Sequence, residues 1–273
     1  MIRVMCCRLT VFVFMTVALS RFAVPASSRT EMVLIRGKAQ PVVVCDPPSG
    51  LPKRGFQVVV TSGDMGWVGL PVNIAEHACA EGYRVIGFNA RAYLSSFTGR
   101  ETSLKPEELP GDLQTLLDWA ASAQGAPSSF VLIGVSEGAG LNVVAAGQMQ
   151  SSRRVIGMIT LGLPYRTSLG WRWTDFPMWV TKKDPREPLT DTGLYLSRLQ
   201  VPLVMIHSTH DEWDSIDLAR IMFTLAPGPK NFIAIAASNH RFSDKLPEVL
   251  SQIDSSLRWL ANPAASKAPG IDD

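Results

Sequence analysis

Short apolar runs alternate with longer amphipathic segments along most of this sequence. The runs at 58–60 and 131–133 are continuously apolar, which is typical of strands buried on both faces of a sheet. The segments between such runs carry apolar residues at helical spacing, for example Leu113, Leu116 and Leu117. This alternation predicts parallel strands joined by helical crossovers. The chain has 273 residues, of which 46% are hydrophobic and 18% charged, so it can form one such domain with a sizeable core.

The same patterns give bounds for the predicted elements. We predict strands at 32–35, 42–45, 57–61, 84–88, 130–134, 155–161, 203–207 and 232–236. We predict helices at 68–82, 106–123, 137–149, 214–225 and 244–260. Residues from about 164 to 200 break the alternation, because they carry several tryptophans with no clear period. We expect this segment to be a Trp-rich cap inserted into a mostly parallel, doubly wound sheet.

The first 26 residues have the layout of a secretory signal peptide. Arg3 and Arg8 precede a short apolar run at 9–19, and a small-residue cleavage site follows at 24–26. The run is too short for a transmembrane helix, although an uncleaved N-terminal anchor is the alternative. We therefore expect a periplasmic or secreted protein whose working domain is 27–273.

This working domain is close to electrically neutral. Residues 1–26 carry three arginines and no acid, so the formal net charge of +2 for the whole sequence becomes −1 for residues 27–273. Such a protein lacks the electrostatic attraction that drives nucleic-acid binding, and we expect none. Cys45 and Cys79 could form a disulfide in an oxidising compartment, but the sequence does not show whether their Cα atoms come close enough.

The strongest local motif is Gly-Val-Ser-Glu-Gly at 134–138, directly after one predicted strand and at the start of a predicted helix. A nucleophile elbow needs small residues two before and two after the serine, because the backbone turns sharply there. An ordinary glycine-rich turn is the alternative. The strand–motif–helix context favours an elbow with Ser136 as the nucleophile.

A serine hydroxyl becomes a good nucleophile when a histidine takes its proton and a carboxylate orients that histidine. In the α/β-hydrolase fold these partners follow in the order serine, acid, histidine, each just past a strand. Asp211 follows the predicted strand at 203–207, and His240 follows the one at 232–236. The sequence therefore predicts a catalytic triad of Ser136, Asp211 and His240.

The sequence contains other acids and histidines near or between the predicted elements. Glu212 or Asp214 could serve as the acid, although each lies further from the end of the strand. His77 falls within a predicted helix, where a surface or packing role is expected. His207 and His210 have the spacing of a possible metal pair, but no cluster of Cys, Asp or Glu ligands accompanies them. We expect neither a metal nor a cofactor.

An oxyanion hole requires two backbone N–H groups aimed at the developing negative charge. One is expected from Glu137, the residue after the nucleophile. The other is expected from the glycine-containing loop at 62–67, where Asp64 or Met65 is the candidate donor. The sequence does not choose between these two residues.

Three stretches resemble one known family, the bacterial virulence-associated VirJ/AcvB-type α/β-hydrolases. The loop S-G-D-M-G-W at 62–67 is similar to the family's S-G-D-G-G-W, the stretch R-A-Y-L-S-S-F-T at 91–98 resembles its R-Y-F-W…T segment, and 134–138 falls on its G-x-S-x-G. The resemblance is best over roughly 57–140. It implies a periplasmic enzyme that releases lysine from aminoacylated phosphatidylglycerol, and VirJ-type members are also linked to type IV secretion.

The sequence departs from this family at two positions near the predicted site. Met65 replaces a glycine of the oxyanion loop, and Glu137 stands where an aromatic residue is common. Both departures leave the substrate open. Asp64, Glu137 and Glu212 lie close to the predicted site, and we hypothesise that one of them receives a substrate ammonium group, as an aminoacyl ester would require.

Substrate contacts are predicted for one basic and several aromatic residues. These are Arg91, Tyr93, Trp67, Trp171 and Trp173. Arg91 and Tyr93 could contact a phosphate or carbonyl group, or could only organise their own loop. The tryptophans of the cap could cover an acyl chain or a lipid headgroup, or could only bury the cap on the sheet.

Three classes of function remain open at this stage. The first is an exported carboxylic-ester hydrolase that acts on a small-molecule or lipid ester, with peripheral membrane contact as a further possibility. The second is a serine peptidase or acyl-peptide hydrolase, which would use the same triad. The third is a non-catalytic binding protein with a secretion-system partner, against which three catalytic groups in the correct order argue.

Overall fold

The computed structural model describes residues 27–52, 54–149, 154–175 and 187–262. The predicted signal peptide at 1–26 and the middle of the predicted cap, 176–186, lie outside the described residues. No helix in the described part of the chain combines the length and the apolar character that a membrane span requires.

Most of the described strands belong to one sheet. The strands are β1 (Ser27–Ile35), β2 (Lys38–Asp46), β3 (Gln57–Thr61), β4 (Val85–Phe88), β5 (Phe130–Val135), β6 (Val155–Leu161), β7 (Arg166–Ser168), β8 (Leu189–Asp191), β9 (Leu203–Ser208) and β10 (Lys230–Ile235). Eight of them form the sheet, in the order β1-β2-β4-β3-β5-β6-β9-β10. β1 and β2 pair antiparallel, as do β2 and β4, and the other pairs are parallel. The prediction of a mostly parallel sheet is confirmed.

Helices cover both faces of this sheet. The described α-helices are α1 (Leu70–Ala80), α2 (Ala90–Phe97), α3 (Leu109–Ala121), α4 (Glu137–Ala146), α5 (Gly193–Leu196), α6 (Ile216–Leu225) and α7 (Leu246–Ala261), with 3-10 turns at Pro106–Glu108 and Trp173–Asp175. One core joins the sheet to α2, α3, α4, α5 and α6, and a second joins its other face to α1 and α7. The predicted doubly wound arrangement is therefore confirmed.

Two parts of the fold differ from the predicted elements. β1 and β2 are longer than predicted because they form a hairpin, whose turn residues Arg36 and Gly37 have φ values of 48° and 76°. Such positive φ values suit a tight hairpin turn. Helix α2 was not predicted, although Asn89 is a favoured N-cap residue and its side chain accepts a hydrogen bond from the Ala92 N–H at 3.1 Å.

The described parts of the predicted cap contain little regular structure. β7 and β8 form a small antiparallel pair, and α5 follows β8. β7 packs on α4, where Gly140 makes room for Thr167: a Cβ at Gly140 would lie 2.4 Å from the Thr167 hydroxyl oxygen. The base of the cap therefore packs on the helix that follows the Gly-Val-Ser-Glu-Gly motif at 134–138.

A disulfide joins Cys45 of β2 to Cys79 of α1, with their Cα atoms 6.1 Å apart. Both cysteines are buried in the core on the α1 side of the sheet. The bond fixes α1 on the sheet, and α1 begins directly after the loop that was predicted to supply an oxyanion donor. The pairing that the sequence left open is therefore present.

Replacement of both cysteines by alanine should lower the free energy of unfolding by about 2–4 kcal/mol, because the open loop gains entropy in the unfolded chain. Guanidinium unfolding monitored by tryptophan fluorescence measures this change. A reductant should destabilise the wild-type protein by a similar amount and leave the double variant unaffected. Equal stability of the oxidised wild type and the variant would contradict this role of the disulfide.

Candidate active site

Ser136 sits at the sharp turn between β5 and α4. Its backbone has φ 51° and ψ −123°, an uncommon conformation for a residue with a side chain. A Cβ at Gly134 would lie 2.4 Å from the Ala139 Cα atom, and a Cβ at Gly138 would lie 2.3 Å from the Ser62 carbonyl oxygen. Both glycines are required because the backbone segments touch, and this geometry is that of a nucleophile elbow.

The loop after β3 lies against this turn. A Cβ at Gly63 would lie 3.3 Å from the Ser136 Cβ atom, and the loop closes with a hydrogen bond of 3.0 Å from the Gly66 N–H to the Gly63 carbonyl. Asp64 and Met65 follow Gly63 and line the same cleft as Ser136. The structure therefore brings both candidate oxyanion donors of this loop to the site.

His240 lies in the loop after β10, and its ring bonds to an acid in the loop after β9. The His240 Nδ1 atom is 2.6 Å from the Asp211 Oδ2 atom, and the Asp211 side chain is fully buried. Asp211 also accepts hydrogen bonds from the backbone N–H groups of Trp213 at 2.9 Å and Asp214 at 3.3 Å. These contacts hold the carboxylate in one orientation beneath the histidine.

The two rival acids have other partners. The Glu212 carboxylate accepts a hydrogen bond of 2.7 Å from the backbone N–H of His240, and the Asp214 carboxylate accepts one of 3.2 Å from the backbone N–H of Tyr165. Among these three acids, Asp211 is the one that contacts the imidazole ring.

The electrostatics of the pair follow from burial and mutual contact. Burial disfavours the charged forms of both residues, but their hydrogen bond and opposite charges outweigh it. The pKa of Asp211 is therefore below its usual range, and the pKa of His240 is above its usual value. At neutral pH the pair combines an ionised acid with a histidine of increased basicity.

Two further residues, Gly162 and His207, support this arrangement, and the sequence analysis did not predict this role for either of them. A Cβ at Gly162 would lie 2.6 Å from the His240 Cε1 atom, so a side chain at this position would displace the ring. His207 is fully buried on β9, with its Nε2 atom 2.9 Å from the Asp214 carbonyl oxygen and 3.5 Å from the Asp211 Oδ2 atom. It stabilises the loop after β9, which carries Asp211 and Asp214.

The other two histidines also have structural partners. The His210 Nδ1 atom is 3.1 Å from the Ala237 carbonyl oxygen, and the His77 Nε2 atom is 3.0 Å from the Asp254 Oδ2 atom. Among the residues that the structure describes, no group of three or more His, Cys, Asp or Glu side chains is arranged to hold a metal ion.

Ser136 and His240 open into one cleft with a volume of about 1050 Å³. Asp64, Met65 and Glu137 line it, together with Trp171 from the cap. Residues predicted to carry catalysis, oxyanion binding and part of the substrate contact therefore meet at the carboxyl ends of the strands, where doubly wound folds place their sites.

Glu137 connects the elbow to the cap. Its carboxylate accepts a hydrogen bond of 2.9 Å from the Thr167 hydroxyl and one of 2.8 Å from the backbone N–H of Ser168. Burial raises the pKa of Glu137 to about 7, although these two hydrogen bonds oppose the shift, and the charge of Asp64 raises it further. Two carboxyl groups thus flank Ser136 in poorly solvated positions.

Arg91 lies outside the cleft lining, in a stack with two tryptophans. Its guanidinium carbon is 4.2 Å from the ring centroid of Trp171 and 4.6 Å from that of Trp173, a cation–π arrangement. Trp171 is buried and lines the cleft, whereas Trp173 is 71% exposed beside it. Of the two predicted cap contacts, the structure brings Trp171 into the cleft and places Trp173 at its edge.

Tyr93 and Trp67 do not reach the cleft, which corrects their predicted role as substrate contacts. Tyr93 is 2% exposed, and its hydroxyl donates to the buried carboxylate of Asp112, because α2 turns this side chain into the core. Trp67 packs its indole on β4, where a Cβ at Gly87 would lie 2.2 Å from the ring. Both side chains contribute to packing beneath the site.

Comparison with known proteins agrees with this architecture. The family described as "Bacterial virulence protein (VirJ)" matches residues 56–183. No curated protein shows significant sequence similarity to the chain.

Solved structures of similar fold include several hydrolases. The esterase domain of a Rhodothermus marinus protein is 18% identical with a TM-score of 0.61, over 86% of this chain and 100% of that chain. A dienelactone hydrolase from Anabaena variabilis is 15% identical with a TM-score of 0.61, over 85% and 96% of the two chains. An α/β serine hydrolase without a lid from Xanthomonas campestris is 14% identical with a TM-score of 0.56, over 86% and 95%.

At these identities the structural likeness establishes the fold alone. The elbow, the sheet order and this structural likeness together show that the chain has the α/β-hydrolase fold, and its residues 56–183 are similar to the VirJ proteins.

Proposed function

We propose that this protein is a serine hydrolase that cleaves a carboxylic ester through an acyl-enzyme. The observation that supports it best is the Asp211–His240 hydrogen bond of 2.6 Å in the cleft that also holds the elbow serine, Ser136. The structural likeness to esterases and other hydrolases points in the same direction. A serine, a histidine and an acid in this arrangement act together: the acid orients the histidine, and the histidine takes the proton of the serine.

The reaction would begin at the Ser136 hydroxyl. His240 takes the proton through Nε2 while the Ser136 oxygen attacks the ester carbonyl, and Asp211 holds the Nδ1–H and stabilises the imidazolium ion that forms. The N–H of Glu137, with that of Asp64 or Met65, would bind the oxyanion. His240 then protonates the departing alcohol. Water, activated by the same histidine, hydrolyses the acyl-enzyme and releases the acid.

We further propose an aminoacyl ester as the substrate, with lysyl-phosphatidylglycerol as the specific candidate. Two observations support a positively charged acyl group: Asp64 and Glu137 both line the cleft and flank the nucleophile, and their charges repel each other. An ammonium group placed between them would relieve this repulsion and favour their ionised forms. Glu212, which is exposed, lines the same cleft.

We also propose that the protein works outside the cytoplasm, in the periplasm or after secretion. The N-terminal sequence has the layout of a signal peptide, and the disulfide between Cys45 and Cys79 suits an oxidising compartment. Export would place the enzyme where it can meet membrane lipids.

A fluorophosphonate probe should label the wild-type protein and should not label Ser136→Ala, because the probe reacts with an activated serine. Mass spectrometry of the labelled peptide identifies the modified residue. Ser243→Ala is the matched control, since Ser243 lines the same cleft, and it should retain labelling. If the probe labels Ser136→Ala as strongly as the wild type, the chain is not this serine hydrolase.

The kcat/KM for a soluble ester should fall as pH decreases through the raised pKa of His240, above its ordinary value of about 6.5, because the protonated ring cannot accept the serine proton. Asp211→Asn should lower kcat by about 10⁴-fold and move this acid limb to lower pH. Asp214→Asn should change the rate by less than about tenfold. Equal losses in the two variants would contradict the assignment of Asp211.

Wild-type protein should release free lysine from vesicles containing lysyl-phosphatidylglycerol, and Ser136→Ala should not. With soluble esters, kcat/KM should be at least about tenfold higher for a lysyl ester than for its Nα,Nε-diacetylated analogue, and Asp64→Asn should reduce this ratio. Comparable kcat/KM values for the two esters would contradict the proposed ammonium site. Faster cleavage of lysyl peptides than of lysyl esters would favour a peptidase instead.

A further inference from the structure

Several exposed apolar side chains line the cleft or lie beside it. Met65, Val68 and Trp213 line the cleft and are 41%, 58% and 49% exposed, and Trp173, 71% exposed, stacks on the cleft residue Trp171. Single exposed apolar residues are ordinary on protein surfaces, but a group of them around one opening marks an interaction surface. We call Met65, Val68, Trp173 and Trp213 the cleft rim.

The rim is assembled from three separate parts of the chain. Met65 and Val68 come from the loop between β3 and α1, Trp213 from the acid loop after β9, and Trp173 from the cap. Segments far apart in sequence thus bring exposed apolar groups to the one cleft that also holds Ser136. The exposed apolar residues therefore do not belong to a single loop.

The charged side chains at the mouth are mostly basic. Arg166 and Arg241 are exposed and line the cleft, and Arg91 lies beside it against the rings of Trp171 and Trp173. Glu212 is the exposed acid among the lining residues. The other lining acids, which are Asp64, Glu137 and Asp214, are more buried, and burial raises the pKa of each of them.

We propose that the cleft rim docks on the surface of an anionic phospholipid bilayer, so that a lipid ester can pass from the bilayer to Ser136. Tryptophan is suited to the headgroup layer because its ring is apolar and its N–H is polar. Val68 and Met65 would enter the boundary of the acyl chains, while the arginines would contact lipid phosphates. The inference rests on the proposed ester hydrolase for its purpose, but the docking itself requires no catalysis.

The arrangement of charge favours a bilayer with phosphate groups over an uncharged one. Basic groups lie at the mouth and poorly solvated acids lie beside the nucleophile, so an anionic surface meets cations first. A bilayer also suits the apolar cleft rim. The surrounding lipids would cover the rim while a single lipid moves from the bilayer into the cleft. The expected partner is therefore a lipid surface that carries net negative charge.

Vesicle sedimentation with the Ser136→Ala protein tests this proposal without substrate turnover. The protein should bind phosphatidylglycerol-containing vesicles at least about tenfold more tightly than phosphatidylcholine vesicles, and added salt should weaken the binding. Adding Val68→Ser and Trp173→Ser should weaken binding to the anionic vesicles by at least about tenfold. Thermal unfolding of each variant confirms that it is folded.

The chain offers a matched control for the loss of exposed apolar surface. Leu34 on β1 and Ile221 on α6 are 65% and 62% exposed and do not line the cleft. A protein with Leu34→Ser and Ile221→Ser should bind vesicles like its parent. The proposal is overturned if the parent does not bind anionic vesicles, or if rim and control variants lose binding equally.

Two further outcomes separate this proposal from others. Rim-dependent dimerisation of the protein on size-exclusion chromatography, without vesicle binding, would show that the rim contacts a second copy and would overturn the lipid assignment. Fluorophosphonate labelling is measured separately: rim-dependent vesicle binding by a protein that the probe does not label would support the docking surface while rejecting the proposed hydrolase.

Discussion

The close contact of backbone segments around Ser136 is the constraint on which the rest of the site depends. A Cβ at Gly138 would lie 2.3 Å from the Ser62 carbonyl oxygen, so α4 can begin where it does only if this position is glycine. The same approach places Gly63 against Ser136 and brings the β3–α1 loop to the start of α4. One packing requirement therefore sets the conformation of Ser136 and brings together both sides of the candidate oxyanion hole.

The other two residues of the proposed triad reach this point because β9 and β10 are neighbours in the parallel sheet and end at the same edge. Asp211 and His240 are 29 residues apart in the chain, yet their side chains meet at 2.6 Å. Buried His207 lies 3.5 Å from the Asp211 carboxylate, and Gly162 leaves room for the His240 ring. The contact also has an electrostatic effect. Burial of His240 lowers its pKa, but the hydrogen bond and the charge of Asp211 raise it above its usual value.

The alternation of apolar runs predicted the parallel sheet well, since strands buried on both faces must be apolar throughout. It underestimated β1 and β2, whose residues outside the core are polar or exposed, and it missed α2, a short helix stabilised at its start by Asn89. Tyr93 and Trp67 show the limit of placing residues by sequence position. Both lie near site residues in the chain, but α2 and Gly87 direct their rings into the core.

The sequence by itself determined the motif at Ser136, the order of acid and histidine, and the strand ends that carry them, because these are local patterns of residue type and spacing. Only the tertiary structure decided which acid contacts His240, whether Cys45 and Cys79 pair, and which aromatic side chains face the cleft. Those outcomes depend on distances between segments far apart in the chain. Packing across the sheet sets such distances, and no local pattern records them.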